Sequence, residues 1–322
     1  MKNLIKQVND FVDREILVVG DTIVDINTMS KVIGFSAETP TIKAEETNRL
    51  IDFGGSANVV KHILALGAKC TFISVAGDDD DYNTLEKWSH PNLNKIIIVE
   101  KDRKTCVKHR FWIEKESINY KHFQINKTDR NDILSGTKEA IIDAITKTNF
   151  DRVIFSDYRL GIFKDLSFIR KLVTACRGSE IYANGQLSDG KLDYNKFKDV
   201  DLIIMNNDEA NSVTDWHDTS DITRTLNSCT RILGTDVCIT LGKNGVITKF
   251  KEKIVSEPAV KVKSVDTCGA GDAFLACLSL CDDGLELSKK LKLSNTWAGL
   301  TTQLIGTSTP DKDTLIKKIS DF

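Results

Sequence analysis

The sequence predicts an α/β protein with a mostly parallel central sheet flanked by helices and a second, smaller β-sheet. Short apolar runs rich in β-branched residues alternate with helical stretches along most of the 322 residues, which is typical of a doubly wound sheet. Two segments, at about 26–52 and 103–125, instead show strand-like alternation of polar and apolar residues without intervening helices. We expect these two segments to form a small β-sheet that stands off the main domain, and we call it the lid.

One domain over residues 1–322 is expected, because the chain has only four prolines and no low-complexity tract that would link independent domains. The apolar run 16–19 predicts a strand that is covered on both faces. A helix over 59–66 should end at Gly67. Further strands are expected at 70–75, 152–156, 180–183, 202–205, 237–240, 245–250, 253–255 and 259–265, and further helices at 132–146, 166–176, 221–233, 271–281 and 287–304.

Composition excludes several classes of protein. A hydrophobic content of 41% supports a sizeable core, and a net charge of −2 gives no electrostatic case for binding nucleic acid or an anionic membrane. No apolar stretch approaches the length of a membrane span, and the N-terminus lacks the pattern of a signal peptide. The eight cysteines form no Cys-x-x-Cys pair and the five histidines show no metal-ligand spacing. We therefore expect a cytoplasmic protein with reduced thiols and no zinc.

Residues 266–274, Asp-Thr-Cys-Gly-Ala-Gly-Asp-Ala-Phe, are the most informative stretch. Gly269, Ala270 and Gly271 lie at the start of an apolar helical run, where uncovered backbone N–H groups and the helix dipole suit an anion. Asp272 stands in the first turn and is interpreted as a base that takes a proton from an attacking hydroxyl. This layout is that of phosphoryl transfer to an alcohol. The alternative is a plain turn, because Asp is favoured at helix N-termini anyway.

Two further candidates lie near the N-terminus. Asp25 follows the first strand, at the ligand edge of the sheet, and could accept hydrogen bonds from sugar hydroxyls; Asp21 binds ligand or only caps the turn. The pair Gly54 and Gly55 precedes a helix and allows a ligand to approach the backbone, with Asn58 within reach. A plain flexible turn is the alternative there.

The second half of the chain contributes polar residues after two more strands. Asn206 and Glu209, three residues apart, can hold a hydrated Mg²⁺ beside phosphate or form a capping box, and the two roles are compatible. Thr240 to Gly245 is a strand followed by a glycine turn, which alone indicates only a tight hairpin entry. Lys108 and Arg110 share one face of a lid strand by alternation, and such cations could reach an anionic substrate or be solvated.

The string Asp-Thr-x-Gly-Ala-Gly-Asp resembles the C-terminal signature of the ribokinase-like (PfkB) carbohydrate kinases, and the resemblance extends over nearly the whole chain. It implies a mostly parallel sheet wrapped by helices, a β lid that mediates homodimers, and the use of ATP and Mg²⁺ on a small-molecule sugar or sugar phosphate. It also implies Asp272 as catalytic base beside an anion hole. The residues that the resemblance assigns to substrate are Asp21, Asp25, Gly54, Gly55, Asn58, Arg110 and Asp157; those assigned to nucleotide are Asn206, Thr240, Gly242, Gly245, Asn295 and Ala298; those assigned to the metal are Asn206 and Glu209.

One branch of this family is the most similar. Segments 20–25, 36–40 and 156–161 resemble the kinase domain of bifunctional heptose enzymes, which phosphorylates the anomeric hydroxyl of D-glycero-D-manno-heptose 7-phosphate in surface-polysaccharide synthesis. The chain departs from that branch at 183–186, where Ala-Asn-Gly-Gln replaces the usual Asp-Pro-Lys-Gly, and also at Ala37, Thr39 and the pair 26–27. Because the chain ends at Phe322, without the nucleotidyltransferase half, we expect a stand-alone kinase.

Three alternatives remain to be compared with this prediction. The acceptor could be a hexose, a pentose or a nucleoside, or the protein could be a non-catalytic sugar- or nucleotide-binding regulator on the same fold. Retention of Asp272 with the complete glycine loop argues against a pure binder. An NAD-dependent dehydrogenase is disfavoured, because the first strand is followed by Gly-Asp and not by a Gly-x-Gly-x-x-Gly turn.

Overall fold

The structure is a computed structural model that describes residues 2–115, 118–145, 150–187, 193–214 and 221–321. The strands in this part of the chain are β1 (Glu15–Gly20), β2 (Thr22–Phe35), β3 (Ile42–Gly55), β4 (Lys69–Gly77), β5 (Leu93–Glu100), β6 (Val107–Lys115), β7 (Ile118–Lys127), β8 (Arg152–Asp157), β9 (Glu180–Gly185), β10 (Leu202–Asn206), β11 (Asp236–Thr240), β12 (Val246–Phe250) and β13 (Lys253–Glu257). The α-helices are α1 (Lys2–Asp10), α2 (Ser56–Ala65), α3 (Tyr82–Lys87), α4 (Ser135–Ile145), α5 (Leu166–Ala175), α6 (Asn207–Thr214), α7 (Ile222–Leu233), α8 (Ala270–Leu280), α9 (Leu287–Thr301) and α10 (Lys312–Ser320).

The central sheet confirms the predicted fold class. Nine of the described strands form it in the order β13-β12-β11-β10-β9-β8-β1-β4-β5. All neighbours pair in parallel except β11 with β12 and β12 with β13. The carboxyl ends of the parallel strands therefore meet at one edge, which is where an open α/β sheet binds its ligands.

Strand β1 lies inside the sheet and has a core on each face. Ile16 and Val18 pack into one hydrophobic cluster, which also contains side chains of α2, α8 and α9. Leu17 and Val19 pack into the opposite cluster, together with side chains of α4, α5 and α7. A continuous apolar run is what a parallel strand between two helical layers requires, so the prediction for 16–19 is confirmed.

The lid is a four-stranded sheet in the order β3-β2-β6-β7. Its strands extend beyond both predicted segments, since β2 begins at Thr22 and β7 ends at Lys127. The first five residues of β2 are buried against the central sheet, whereas most of its distal half is exposed. Strand β2 thus joins the ligand edge of the central sheet to the outer part of the lid.

Several boundaries differ from the prediction. The prediction of a strand at 259–265 is wrong, because β13 ends at Glu257 and residues 258–265 form no regular element. Apolar side chains of this segment line a cavity and do not pair with a strand. Helix α4 begins at Ser135 and not at 132, and the expected end of that helix at Thr146 lies outside the described residues. Among the residues that the structure describes, every helix is too short or too polar to span a lipid bilayer.

Candidate active site

The start of α8 lies at the ligand edge of the sheet and is shaped by Gly269. Its φ of +75° is in the left-handed region, and a Cβ atom there would lie only 2.6 Å from the side-chain nitrogen of Asn58. Glycine is therefore required both by the backbone conformation and by the close approach of α2. The apolar residues after Asp272 are buried in the core, and they fix the first turn of α8 relative to the sheet.

Asp272 is buried and is held by two neutral side chains from distant parts of the chain. The Asn58 Nδ2 group donates to Oδ2 of Asp272 at 2.8 Å. The Tyr158 hydroxyl lies 2.8 Å from Oδ1 and 2.9 Å from Oδ2. Burial raises the pKa of Asp272, and these hydrogen bonds and the positive charges of Lys61 and Lys108 oppose that rise. A buried carboxylate with a raised pKa is suited to accept a proton near neutral pH.

The backbone amides next to Asp272 are only partly occupied. The Ala270 amide donates to the Thr267 carbonyl at 3.3 Å, a long bond that closes the turn. Gly271 is the second residue of α8, where an N–H group has no partner within the helix. Of the two, the Gly271 amide is the better placed to bind an anion, because Ala270 already donates to its own turn.

A cavity of about 470 Å³ opens beside this helix start, and we call it the nucleotide cavity. Five residues that the sequence assigned to nucleotide line it together: Thr240, Gly242, Gly245, Asn295 and Ala298. Ala270 and Gly271 line it as well, so the loop of Gly269, Ala270 and Gly271, which we call the anion loop, is continuous with the cavity. Val260, Val262 and Phe274 supply an apolar wall of the kind that a flat ring system requires.

Asn206 does not line this cavity and instead caps α6. Its backbone N–H donates to Oε2 of Glu209 at 2.8 Å, and its Oδ1 accepts from the Glu209 N–H at 2.9 Å. This is a reciprocal capping box, the alternative that the sequence left open. Glu209 is buried, and burial raises the pKa of its carboxyl group. Within the described ranges, no group of three or more His, Cys, Asp or Glu side chains is arranged to hold a metal ion.

Asp25 and Arg110, which the resemblance assigns to substrate, are paired with each other. An Arg110 Nη1 group donates to Oδ1 of Asp25 at 2.7 Å, and the Asp25 side chain is almost fully buried. Burial raises the pKa of Asp25, and Arg110 opposes the rise. A Cβ atom on Gly54 would lie 2.2 Å from Oδ2 of Asp25. The first residue of the glycine pair is thus required by this carboxylate, whether or not a ligand is bound.

Asp21 anchors a loop. Its carboxylate accepts hydrogen bonds from the backbone amides of Tyr158, Leu160 and Ile162 at 3.0–3.2 Å. Burial, followed by the nearby charge of Asp157, raises the pKa of Asp21. With both oxygens occupied by backbone donors, Asp21 fits the turn-capping alternative better than a direct role in ligand binding.

Asp157 ends β8 and is buried. Its carboxylate forms an ion pair with Lys196 and accepts from the Arg159 amide at 2.8 Å. Both charged partners line a second cavity of about 460 Å³, which also contains Arg130 and Lys164. Asp157 therefore belongs to a predominantly cationic cavity, which is lined by the residues on either side of Tyr158.

Two residues near Asp272 were not singled out from the sequence. Tyr158 lies within a segment that resembles the heptose branch, but nothing in its local pattern predicted the contact with Asp272. Lys61 follows Asn58 on α2 by one turn, and its ammonium group contacts the Asp52 carboxylate at 2.5 Å and the Thr307 carbonyl at 2.7 Å. The only sequence feature that could have indicated Lys61 is its position three residues after Asn58, about one turn further along α2.

Comparison with solved structures identifies the fold. The fold matches phosphofructokinase-2 from Escherichia coli in complex with substrates and products, with a TM-score of 0.75 and 16% identity over 96% of this chain and 98% of that one. It also matches ribokinase from Thermotoga maritima, with a TM-score of 0.70 and 17% identity over 96% of this chain and 100% of that one. The chain therefore has the ribokinase-like fold.

The family follows from the sequence comparison. The family model described as "pfkB family carbohydrate kinase" matches residues 13–314, and the chain belongs to this family. It is 30% identical to the bifunctional protein HldE of Campylobacter curvus over 92% of this chain and 63% of that protein. It is 25% identical to the bifunctional protein HldE of Acidiphilium cryptum over 98% of this chain and 65% of that protein. The chain thus spans less than two thirds of the length of these relatives.

Proposed function

We propose that the protein transfers the γ-phosphoryl group of ATP to a hydroxyl of a sugar or sugar phosphate, with Asp272 as the general base. The observation that carries the proposal is the position of this carboxylate. Asp272 is buried in the first turn of α8, two residues beyond Ala270 on the wall of the nucleotide cavity, and is oriented by Asn58 and Tyr158.

The proposed step needs few groups. Asp272 takes the proton of the acceptor hydroxyl as the hydroxyl oxygen attacks the γ-phosphorus. The bond from that phosphorus to the bridging oxygen breaks, and ADP leaves with the bond's electron pair. The loop of Gly269, Ala270 and Gly271 stabilises negative charge on the transferred group. The structure favours the Gly271 amide within this loop, because the Ala270 amide also donates to Thr267.

ATP is proposed to occupy the nucleotide cavity. Its ring system would lie against the apolar wall near Ala298, and its phosphates would extend toward Gly271. Mg²⁺ enters with ATP as part of the substrate. We propose that Asn206 and Glu209 act on the water ligands of this ion and do not bind it directly, since both side chains already form the cap of α6.

The acceptor is proposed to lie between the lid and α2, where Asp25, Gly55 and Asn58 can bind its hydroxyl groups. Heptose 7-phosphate, phosphorylated at the anomeric position, is the acceptor that the sequence resemblance favours. Its support is the similarity to the HldE proteins at 25–30% identity. The nucleotidyltransferase activity of the heptose enzymes is not proposed here.

A phosphorylated acceptor is also supported by the charge near Tyr158. Arg110 is committed to Asp25 by an ion pair, so its charge is already balanced. The cavity beyond Tyr158 adds Arg130, Arg159, Lys164 and Lys196, against Asp157 and Asp193. That excess of positive charge is suited to a phosphate group on the far end of the acceptor.

The lid is proposed to cover the acceptor as part of a single kinase domain and to join two copies of the chain. The strand register places Ile51 and Ile125 on the face of the lid opposite Asp25 and Arg110. These two isoleucines are 49% and 55% exposed, and neighbouring Phe123 is 48% exposed. An exposed apolar patch on a β-sheet is typical of a protein interface.

The experiment that tests the proposal is an acceptor screen with the purified protein and MgATP, read as ADP release and product mass. We expect a phosphorylated product, with heptose 7-phosphate preferred over the unphosphorylated heptose. A preference for hexose, pentose or nucleoside would contradict the heptose assignment only. Calorimetric binding of ATP and a sugar, with no ADP formed for any acceptor, would favour the non-catalytic regulator.

A further inference from the structure

The Tyr158 hydroxyl touches both oxygens of the proposed base. It lies 2.8 Å from Oδ1 and 2.9 Å from Oδ2 of Asp272, from a residue 114 positions away in the sequence. Because a carboxylate can only accept hydrogen bonds, the phenol must be the donor in this contact. A donor bound to a charged acceptor forms a stronger hydrogen bond than a neutral pair does.

The backbone of Tyr158 is fixed on both sides. The Asp21 carboxylate accepts from the amides of Tyr158, Leu160 and Ile162, so the whole turn is tied to the end of β1. Arg159, between them, has a φ of +60°, which is uncommon for a residue with a side chain. A turn held in this way points the phenol ring toward Asp272 and limits the other orientations that the ring can adopt.

The two oxygens of Asp272 are not equivalent. Oδ2 accepts from Asn58 and from Tyr158, whereas Oδ1 has Tyr158 as its hydrogen-bond partner. Each carboxylate oxygen can accept about two hydrogen bonds. Oδ1 is therefore the oxygen that retains capacity to receive the proton of an acceptor hydroxyl.

We propose that Tyr158 is a positioning residue for the phosphoryl transfer, whose hydroxyl keeps Asp272 ionised and directs Oδ1 toward the acceptor. This inference rests on the proposed function, because it assigns Tyr158 a role in the same reaction. Asn58 fixes one oxygen of the carboxylate, and Tyr158 bridges the two. Together they define the rotation of the carboxylate plane in a buried site.

The expected pH effect follows from the charges that face the site. The titratable groups near Asp272 or the phenol are Lys61 on α2, Lys108 on β6, Glu209 on α6 and Cys268 in the loop before α8. The hydrogen bond from Tyr158 lowers the pKa of Asp272, against the larger effect of burial. Without the hydroxyl, Asp272 stays protonated up to a higher pH. The fall in activity on the acidic side of the pH profile therefore begins at a higher pH.

The test is the pH dependence of kcat/KM for Tyr158→Phe, with the acceptor that the wild type uses best. We expect the acidic limb to move up by about one pH unit, a tenfold change in proton affinity, with the KM for ATP unchanged. Tyr182→Phe is the control for loss of a tyrosine hydroxyl, because the hydroxyl of the buried Tyr182 also contacts charged groups, Arg152 and Glu180, away from Asp272. The control should lower the melting temperature without moving the limb.

A second variant keeps the hydroxyl group and should shift the acidic limb of the pH profile in the opposite direction. Ring-fluorinated tyrosine placed at position 158 has a more acidic hydroxyl and donates more strongly, so the acidic limb should move to lower pH. Opposite shifts in the two variants would support the positioning role. An unmoved limb in either folded variant would overturn it, as would a uniform loss of activity at all pH values. Failure of the proposed function is distinguishable, because the wild type would then release no ADP with any acceptor.

Discussion

The nucleotide cavity and the region around Asp25 are the two proposed ligand regions of the molecule, and they are built in different ways. The cavity is lined mostly by small and apolar residues, among them Gly242, Ala298 and Val262, and its charged lining residues are Lys243 and Lys261. The Asp25 region is held by a partly buried ion pair with Arg110 and by the close packing of Gly54. Short local motifs are enough to form the nucleotide cavity, whereas the Asp25 region depends on contacts between the lid and the central sheet.

This difference has a functional consequence. A cavity made of backbone and small side chains suits a ligand that is the same throughout a family, as ATP is for kinases. A region made of charged side chains on the lid can change its acceptor when one charge changes. We therefore expect substitutions in the two regions to separate nucleotide binding from acceptor binding, and the anion loop between them to affect turnover most.

Apart from loss of the base itself, the largest effect is expected for Gly269→Val, at the loop that joins the two regions. A β-branched residue at a φ of +75° is strained, and its Cβ atom would displace Asn58. Because the change disturbs the anion hole and the base together, kcat should fall by about 10²–10³. Steady-state ADP release measures the effect.

Gly136→Ala is the matched control for this loop variant. Gly136 lies in α4 with no atom within 4 Å of the position of a Cβ, so activity should be unchanged. A Gly269→Val protein with near wild-type kcat would mean that the loop does not contact the transferred group.

An intermediate effect is expected for Asp25→Asn, which removes charge from the acceptor side only. The variant keeps the shape of the side chain but weakens hydrogen bonds to a sugar hydroxyl and to Arg110. Loss of a charged hydrogen bond costs roughly 1.5–3 kcal/mol, so the acceptor KM should rise by about 10-fold or more. Calorimetry should show unchanged affinity for ATP. A selective loss of ATP affinity would reverse the assignment of the two regions.

A smaller effect is expected for Asn206→Ala, which tests the proposed role of this residue toward the Mg²⁺ that enters with ATP. Loss of the cap of α6 should cost about 0.5–2 kcal/mol of unfolding free energy, seen as a lower melting temperature. If Asn206 also acts on the water shell of Mg²⁺, the concentration of Mg²⁺ that gives half-maximal activity should rise. Asp221→Ala is the control, because Asp221 caps α7 through the Arg224 amide. Equal Mg²⁺ dependence in the two variants would leave Asn206 a structural role only.

The smallest effect on chemistry is expected for Ile125→Glu, on the outer face of the lid. A charge in the exposed patch with Ile51 and Phe123 should weaken the proposed dimer while leaving both ligand regions of the protomer in place. Light scattering after size exclusion should show a shift toward monomer. A wild type that is monomeric at micromolar concentration would contradict the proposed interface.

The sequence predicted those parts of the fold and site that depend on local patterns. Buried runs such as 16–19 predicted strands, and the order Gly269 to Asp272 predicted a helix start with its acid in the first turn. The run 259–265 has the composition of a strand, but most of its residues line the nucleotide cavity and no described strand includes or pairs with it. Periodicity alone cannot distinguish the two cases.

Contacts between distant segments could not be predicted from the sequence pattern. Asp21 and Asp25 lie four residues apart in one motif, yet one accepts three backbone amides and the other pairs with Arg110 on a lid strand. Tyr158 meets Asp272 across 114 residues. Such partners become visible only when the chain is folded, because neither residue type nor spacing determines them.

The central claim is that the Asp272 carboxylate accepts the proton of the alcohol at the point where acceptor and ATP meet. The most direct measurement is kcat for Asp272→Asn, with the affinities for ATP and acceptor measured on the same protein. The account predicts a fall in kcat of about 10²–10⁴, the usual contribution of a general base, with both affinities close to those of the wild type. A variant that turns over at a rate near that of the wild type would contradict it.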